Sequence, residues 1–245
     1  MLSRLENPKI LSKACHEFSA RLDINAFDPG RTPIELGVKI PESLRSAVLP
    51  RQAQFVAGRF AAARALKAAG CSPPIEIGVN SNRSPLWPEG FIGSITHTSD
   101  YVSAVVANRA RLGALGRDTE QRFDDRVAQE IQTTTLVADE IQRQPASGFS
   151  LSEYVGLLFS GKESLFKALS PLVDLSFDFL DAEAIEISRD QCSPQQGHIR
   201  FRLIKDLGSI FRSGFELDAR FKITEQIHTA VEVSLVNLCN YRATS

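Results

Sequence analysis

The segment that most constrains the fold is residues 159–169, which read Phe-Ser-Gly-Lys-Glu-Ser-Leu-Phe-Lys-Ala-Leu. Helix-forming residues fill this segment, and the first proline after its start is Pro171, beyond its end. The segment therefore predicts a helix. Phe159, Glu163 and Lys167 then follow one another at i,i+4 spacing and share one helix face. In an isolated helix, an ion pair between Glu163 and Lys167 on the surface is the simpler interpretation. A second acidic segment changes that balance.

The second acidic segment is residues 112–120, where a short apolar run containing two glycines leads into Asp118-Thr119-Glu120. If the end of this run is extended, Asp118 and Glu120 point to the same side. Two adjacent carboxylates repel each other unless a cation or a proton lies between them. Together with Glu163 they would form an all-oxygen site of the kind that Mg²⁺ prefers. Alone, Asp-x-Glu is a weak signal, because many exposed strand ends carry two acids.

Periodicity along the rest of the chain predicts helices and strands in alternating groups. Short strands are expected at 22–27 and 34–40, then a short helix at 41–49 and a long helix over 51–69 that ends at Gly70. Strands follow at 75–79, 91–96, 101–107 and 112–120. A polar helical segment at 121–144 is interrupted at 133–135, and Ser150 or Ser152 caps the helix that carries Glu163. The last strands are expected at 184–188, 198–204, 214–222 and 228–238.

This order predicts an α+β fold of two similar halves, each with a helix followed by several strands. The boundary is expected after Glu120, which gives an N-terminal lobe of residues 1–120 and a C-terminal lobe of residues 121–245. Each lobe should contain a small mixed or antiparallel sheet against which a long helix packs.

Charge and cysteine usage exclude several classes of function. The formal net charge is −1, so no overall basic field favours nucleic-acid binding. The four cysteines are scattered and form no Cys-x-x-Cys pair, which excludes a zinc site with that spacing. The sequence has no apolar run of membrane-spanning length, and residues 1–10 contain no apolar core of signal-peptide length. We therefore expect a cytoplasmic protein with reduced thiols.

Two features are ambiguous when they are taken alone. Residues 45–67 hold the densest group of basic side chains, which fits either a solvated helix face or a phosphate-binding face, and composition favours the solvated face. His97 follows a predicted strand, where a histidine usually makes hydrogen bonds within a turn; Thr96, Thr98 and Ser99 are the neighbours available for them. His97 is also suited to donate a hydrogen bond to a phosphate.

Three short blocks occur in order along the chain: Gly-Ser-Ile-Thr-His-Thr at 93–98, Gly-Arg-Asp-Thr-Glu at 116–120 and Lys-Glu-Ser-Leu-Phe-Lys-Ala at 162–168. Together they resemble the three signature blocks of the 4′-phosphopantetheinyl transferases. The type resembled is the single-chain, two-lobed one, especially the branch associated with enterobactin-type siderophore synthetases. Segments 54–66 and 85–88 also look like that branch. The N-terminal segment and the last third of the chain carry no motif.

The resemblance implies two pseudo-symmetric lobes in a monomer, with coenzyme A in the cleft between them. It assigns Asp118, Glu120 and Glu163 to a Mg²⁺ ion. It assigns catalysis to Glu163, which takes a proton, and to Lys167, which assists the leaving phosphate. His97 matches the histidine that contacts the coenzyme diphosphate. Further expected coenzyme contacts are Arg45, Arg51, Arg59, Arg83, Thr96 and Lys162.

The chain departs from the family pattern at three positions. Arg117 and Thr119 stand where aliphatic residues usually flank the aspartate, and Phe159 stands where the family usually has tryptophan. Residues 117 and 119 should point away from the carboxylates. The guanidinium of Arg117 must then find a partner or reach solvent, because an unpaired buried charge is costly. If it neutralised an acid instead, metal binding would weaken.

The implied reaction moves phosphopantetheine from coenzyme A to a serine of an acyl or peptidyl carrier protein, with a leaning towards siderophore or related secondary-metabolite synthesis. Three alternatives belong to other classes. The first is a coenzyme A-binding protein with impaired or no transferase activity. The second is a scaffold that binds carrier proteins, and the third is a metal-dependent phosphohydrolase. The ordered histidine and Lys-Glu blocks favour transfer.

Overall fold

The structure is a computed structural model that describes residues 1–173 and 175–235. The chain divides into two compact units, Met1–Arg109 and Ala110–Ser245. The boundary between the units follows Arg109 and so comes earlier in the chain than the boundary expected after Glu120. The reason is that the strand carrying Asp118 and Glu120 pairs with a strand from the last part of the chain, and so belongs to the sheet of the second unit.

The first unit contains a four-stranded antiparallel sheet and one long helix. Its elements are β1 (Leu2–Leu5), β2 (Cys15–Leu22), α1 (Thr32–Leu36), α2 (Glu42–Arg45), α3 (Leu49–Ala68), β3 (Gly78–Val79), β4 (Pro85–Leu86), β5 (Phe91–His97) and β6 (Tyr101–Asn108). The sheet has the order β1-β2-β6-β5, and β3 and β4 form a separate two-stranded hairpin. Helix α3 packs against β2, β5 and β6.

Alanines make the packing of α3 close. Ala57, Ala61 and Ala62 are fully buried against the sheet residues Val102 and Ala104. Their small side chains bring the helix backbone near the strands, and each apolar carbon removed from water contributes to stability. The predicted helix over 51–69 is confirmed; it begins at Leu49 and ends at Ala68.

The predictions of strands at 22–27 and 34–40 are wrong. Residues 24–26 form a short 3₁₀ helix, because the Asp23 carboxylate accepts a hydrogen bond of 3.1 Å from the backbone N–H of Asn25. Residues 32–36 form α1, with Pro33 in its first turn. A strand was also expected over 75–79, but only Gly78–Val79 pairs. The Asp23 cap and Pro33 favour helical turns over strands in the first two of these segments.

The second unit contains a five-stranded antiparallel sheet of order β7-β11-β10-β9-β8. Its elements are β7 (Leu112–Gln121), α4 (Asp125–Thr135), α5 (Ala138–Arg143), α6 (Leu151–Leu169), β8 (Ala182–Asp190), β9 (Ser193–Leu203), β10 (Glu216–Ile223) and β11 (Gln226–Ser234). Helix α6 packs against β7, β10 and β11. The final strand was expected to reach residue 238, but residues 236–238 lie outside the described part of the chain.

The break expected at 133–135 lies slightly later, because α4 continues through Thr135 and α5 begins at Ala138. The cap predicted for the helix that carries Glu163 is confirmed. Ser150 caps α6, since its hydroxyl accepts a hydrogen bond of 3.2 Å from the backbone N–H of Glu153. The apolar face of α6, including Leu157, Leu158 and Leu165, is fully buried in the core of this unit.

The α+β class predicted from the sequence is confirmed, because both units combine antiparallel sheet with packed helix. Within residues 1–173 and 175–235, no helix combines the length and the apolar character needed to cross a bilayer.

Candidate active site

The site is built on a close approach of strand β7 to helix α6. Gly116 makes this approach possible, because a Cβ at that position would lie 1.8 Å from the carbonyl oxygen of Ser164. No other residue type fits there without moving the strand or the helix. Two residues later, the side chain of Asp118 therefore lies against α6, and Lys167 Nζ is 2.5 Å from Asp118 Oδ1.

The structure brings together the three predicted carboxylates. Asp118 is 2% exposed, whereas Glu120 and Glu163 are half-buried. Burial raises the pKa of Glu120 to about 7, repulsion from Asp118 and Glu163 adds to the rise, and Lys167 opposes it. Burial also raises the pKa of Glu163, with a further contribution from Asp118. A cation or a proton between such carboxylates would relieve the repulsion.

The ammonium of Lys167 already lies between two of these carboxylates. Its Nζ is 2.5 Å from Asp118 Oδ1 and 4.0 Å from Glu163 Oε2. Within residues 1–173 and 175–235, no group of three or more His, Cys, Asp or Glu side chains is arranged to hold a metal ion. The oxygen donors fit Mg²⁺ chemically, but a cation that bound them would compete with Lys167. Lys167 therefore lies closer to Asp118 than to Glu163. The surface ion pair with Glu163, which the helix spacing suggested, is the weaker of its two contacts.

Arg117 and Thr119 point to the other face of β7, as the sequence predicted. Arg117 is 0% exposed, and its guanidinium donates to the backbone carbonyls of Asp118 and Thr229. Its Nη2 lies 3.2 Å from Nδ1 of His228, which is also 3.1 Å from the Thr119 hydroxyl. Arginine can only donate, so Nδ1 accepts and the proton of His228 lies on Nε2, 3.2 Å from the Thr224 hydroxyl.

His228 is the partner that Arg117 was expected to need, and reasoning from the sequence did not identify it. Burial and the charges of Arg117 and Lys222 lower the pKa of His228 to about 3, so the imidazole remains neutral and accepts from the guanidinium. His228 stands opposite Thr119 in the β7–β11 register. An arginine predicted on the packed face of a strand is a signal to search for such an acceptor.

Three buried hydroxyls behind Asp118 were also missed. Ser160 Oγ donates to Asp118 Oδ2 at 2.8 Å and lies 2.9 Å from the hydroxyl of Thr229. Ser164 Oγ lies 2.7 Å from the same hydroxyl. All three side chains are fully buried. Serines at i,i+4 spacing within an apolar helix are the available sequence signal.

The first unit contains a pocket of about 360 Å³ that brings together four of the predicted coenzyme contacts. Arg51, Arg59, Arg83 and His97 line it. Arg51 Nη1 lies 3.4 Å from His97 Nε2. Arg83 reaches the pocket from a loop in which its own backbone has a left-handed φ of 67°. The basic side chains of residues 45–67 therefore do not all lie on a solvated face.

Arg59 is the most buried of these cations, at 8% exposure. Its Nη2 donates to the Gly78 carbonyl at 3.1 Å, and its guanidinium lies 4.9 Å from the centre of the Phe55 ring. Within residues 1–173 and 175–235, its Nε has no hydrogen-bond partner. Burial and the charge of Arg51 lower the pKa of Arg59 to about 10. Two crowded guanidinium groups in a pocket favour an anionic ligand.

Three predicted contacts lie elsewhere. Arg45 is exposed and pairs with Glu42 at 3.0 Å. Thr96 is buried within β5 and is not among the residues that line the pocket in the described part of the chain. Lys162 lies on a different face of α6 from Glu163, and its side chain is only 2% exposed. Successive residues of an α-helix are about 100° apart around its axis, so Lys162 and Glu163 point in different directions although they are adjacent in the sequence.

Lys162 instead forms a buried ion pair with Glu140, a residue that the sequence did not single out. The Nζ–Oε2 distance is 2.7 Å, and Nζ also donates to the Thr135 carbonyl at 2.9 Å. Glu140 accepts further hydrogen bonds from the backbone N–H groups of Val137 and Ala184. The pair therefore connects α5, α6, β8 and the end of α4, and its role in this structure is to hold these elements together.

Comparison with known proteins agrees with this geometry. The model for the 4′-phosphopantetheinyl transferase N-terminal domain matches residues 40–107, and the model for the 4′-phosphopantetheinyl transferase superfamily matches residues 114–230. The second match spans Asp118, Glu120, Glu163, Lys167 and His228. The chain belongs to the 4′-phosphopantetheinyl transferase superfamily.

Relatives give the same result. The chain is 37% identical over 134 residues to enterobactin synthase component D of Salmonella typhi, which covers 55% of each chain. It is 33% identical over 150 residues to the protein of that name from Escherichia coli strain K12, covering 60% of this chain and 68% of the relative. It is 31% identical over 175 residues to 4′-phosphopantetheinyl transferase PptT of Mycobacterium tuberculosis, covering 71% and 74%. The chain thus spans about half the length of the Salmonella relatives that it matches.

Proposed function

We propose that this protein transfers the 4′-phosphopantetheine group of coenzyme A to a serine hydroxyl of an apo acyl or peptidyl carrier protein. The observation that carries the proposal is the meeting of Asp118, Glu120 and Glu163 beside Lys167, in a chain that belongs to the transferase superfamily. Carboxylates for a cation and a lysine for a phosphate are the groups that phosphoryl transfer requires.

The proposed reaction exchanges one P–O bond for another. The serine oxygen of the carrier attacks the phosphorus of the phosphopantetheine group, and the bond to the bridging oxygen of the diphosphate breaks. Adenosine 3′,5′-bisphosphate leaves with the bonding electrons. Glu163, whose pKa is raised by burial, accepts the serine proton directly or through water. Lys167 stabilises or protonates the leaving phosphate.

Magnesium dependence is part of the proposal. Asp118, Glu120 and Glu163 would hold the ion, and when bound it would neutralise charge that develops on the diphosphate. Lys167 contacts Asp118 at 2.5 Å in this structure, so we expect its ammonium to turn from that carboxylate towards phosphate oxygen during the reaction.

Arg51, Arg59, Arg83 and His97 are proposed to bind the phosphate groups at the nucleotide end of coenzyme A. Support comes from their position around one pocket, and from the burial and the charge of Arg51 that lower the pKa of Arg59. A phosphate would relieve the repulsion between Arg51 and Arg59 and would offer an acceptor to the Nε of Arg59. The cleft between two pseudo-symmetric lobes, the monomeric state and the cytoplasmic location stay predictions.

The carrier is proposed to belong to siderophore or related secondary-metabolite synthesis, since several relatives carry the name enterobactin synthase component D. The alternative from the sequence is a coenzyme A-binding protein with impaired transfer. That alternative requires Arg117 to neutralise one of the acids that would hold the cation. The guanidinium donates to two backbone carbonyls and lies beside neutral His228, which favours transfer.

A mass measurement tests the proposal. The protein is incubated with coenzyme A, Mg²⁺ and an apo acyl or an apo peptidyl carrier, and each carrier is weighed. We expect one added phosphopantetheine group on at least one carrier, and its loss when a chelator is present. Glu163→Gln should abolish the gain, whereas Glu186→Gln, at an exposed position of β8, should retain it. Coenzyme A binding without any gain in mass would contradict transfer and support the alternative.

A further inference from the structure

The two oxygens of the Asp118 carboxylate have different surroundings. Oδ2 points into the unit and accepts from Ser160 Oγ at 2.8 Å, whereas Oδ1 faces Lys167 Nζ at 2.5 Å. Ser160 is fully buried, and Lys167 is partly exposed. One oxygen is thus fixed from the interior, and the other faces the side on which Lys167 and Glu163 lie.

The hydroxyls of Ser160 and Thr229 follow one another behind the Asp118 carboxylate. Each hydroxyl has one proton, and an ionised carboxylate only accepts, so the proton of Ser160 is used on Asp118. The Thr229 hydroxyl donates to the Ser160 carbonyl at 2.7 Å and lies 2.9 Å from Ser160 Oγ, so it contacts the Ser160 side chain and backbone together. Ser164 Oγ donates to the Thr229 carbonyl at 3.1 Å and lies 2.7 Å from Thr229 Oγ1. Asp118 is thus supported by Ser160, and Ser160 by Thr229, whereas Ser164 already has a backbone acceptor of its own.

These hydroxyls join two elements that the fold already holds together. Thr229 is the cross-strand partner of Asp118 in the β7–β11 register. Ser160 and Ser164 lie one turn apart on α6, which packs against both strands. The Ser160 hydroxyl, supported by Thr229, therefore fixes Asp118 relative to the helix that carries Glu163 and Lys167.

We propose that Ser160, oriented by Thr229, is a positioning residue that holds the Asp118 carboxylate in the rotamer that cation binding requires. This inference rests on the proposed function, because it concerns the cation site of that reaction. When the Ser160 donor is removed, the hydrogen bond that directs Oδ2 into the unit is lost, and the carboxylate can turn further towards Lys167. The lysine then competes more strongly with a cation for this carboxylate, and cation affinity falls.

The test measures binding of Mn²⁺ alone to the full chain by electron paramagnetic resonance, without coenzyme A or carrier. Ser160→Ala should weaken Mn²⁺ binding by about 10-fold, the lower end of the effect of residues that support metal ligands. Ser164→Ala is the matched control on the same buried helix face, because Ser164 contacts Thr229 but is one step further from the carboxylate. Its affinity should remain near that of the unchanged protein.

Thr229 provides a second pair of variants in case Ser160→Ala does not fold. Thr229→Val keeps the shape and removes the hydroxyl, whereas Thr229→Ser keeps the hydroxyl. Thr229→Val should weaken Mn²⁺ binding, and Thr229→Ser should restore it. Unchanged affinity in Ser160→Ala or in Thr229→Val overturns the inference, and so does an equal loss in Ser160→Ala and Ser164→Ala.

The carrier assay separates this inference from the proposed function. Suppose that the unchanged protein and Ser164→Ala bind Mn²⁺ more tightly than Ser160→Ala, but that the unchanged protein modifies no carrier. Transfer is then refuted and the positioning role stands. If it modifies carriers and Ser160→Ala binds Mn²⁺ normally, transfer stands and the positioning role is refuted. A protein that binds no Mn²⁺ at all contradicts the inference.

Discussion

Lys167 Nζ lies 2.5 Å from Asp118 Oδ1 and 4.0 Å from Glu163 Oε2, so one ammonium group stands where the proposed reaction needs a metal ion. This arrangement stabilises a cluster of acids that would otherwise repel one another. A cation that bound Asp118 would compete with this ammonium, so cation binding and release of the lysine would be coupled. The lysine would then be available to a phosphate.

The first prediction separates cation binding from chemistry at Lys167. Lys167→Met keeps a side chain of similar length and removes the charge. Because the competing ammonium is gone, Mn²⁺ should bind at least as tightly as before. Carrier modification should fall by about 100-fold or more, the usual contribution of a group that transfers a proton. Titration with Mn²⁺ and the rate of carrier modification are measured on the same preparation. Weaker Mn²⁺ binding in Lys167→Met would contradict the competition.

The second prediction concerns the close approach at Gly116. In Gly116→Ala the new Cβ would lie 1.8 Å from the Ser164 carbonyl, so β7 and α6 must separate. We expect a loss of about 3 kcal/mol or more in the free energy of unfolding, as for an overpacked core. Gly30→Ala is the control, because its nearest atom, Asp28 Oδ1, is 3.4 Å away. Denaturant unfolding compares the two variants. Equal stability would show that the strand and the helix adjust without cost.

The third prediction assigns a structural role to Lys162. Lys162→Met leaves the carboxylate of Glu140, which is 0% exposed, without its ammonium partner, and should cost about 3–5 kcal/mol. The double variant Lys162→Met, Glu140→Leu removes both charges and should recover part of that loss.

The control for Lys162 is Arg126→Met, which breaks an exposed i,i+4 pair with Glu130 and should change stability by less than about 0.5 kcal/mol. Denaturant unfolding measures all three variants. If Lys162→Met kept full stability and lost coenzyme A binding, the role in ligand binding suggested by the sequence would be favoured instead.

The fourth prediction is a pH dependence that comes from His228. Its pKa is about 3 in the folded chain and 6.5 as a free side chain, so the unfolded chain binds the extra proton between these values. The free energy of unfolding should therefore fall as pH decreases from about 6.5 towards about 3, by at most ~1.4 kcal/mol per pH unit from this residue.

His228→Asn retains an oxygen that accepts from Arg117 and removes the titration. The difference in stability between the unchanged protein and His228→Asn should shift in favour of the variant as the pH is lowered. Chemical denaturation at pH 7 and pH 5 measures that difference. A difference that is constant with pH would mean that His228 is not held neutral by its surroundings.

The sequence predicted which residues form the carboxylate site, but not which buried residues hold them in place. Period-two spacing placed Asp118 and Glu120 on one side of a strand, and helical spacing placed Glu163 and Lys167 on one side of α6. Both regularities are local properties of the backbone. The neighbours of these residues come from distant segments, so local spacing contains no information about them. His228, Thr229 and Glu140 are the residues that were missed for this reason.

The sequence by itself determined the α+β class, the long helices, most strands of the sheets and the motif residues, because each follows from short-range periodicity and residue type. Only the tertiary structure decided that β7 belongs to the sheet of the second unit, through pairing with β11. It also decided that Lys162 is turned into the core while Lys167 reaches Asp118. These outcomes depend on long-range strand pairing and on close packing at Gly116, where two segments distant in the chain compete for the same space.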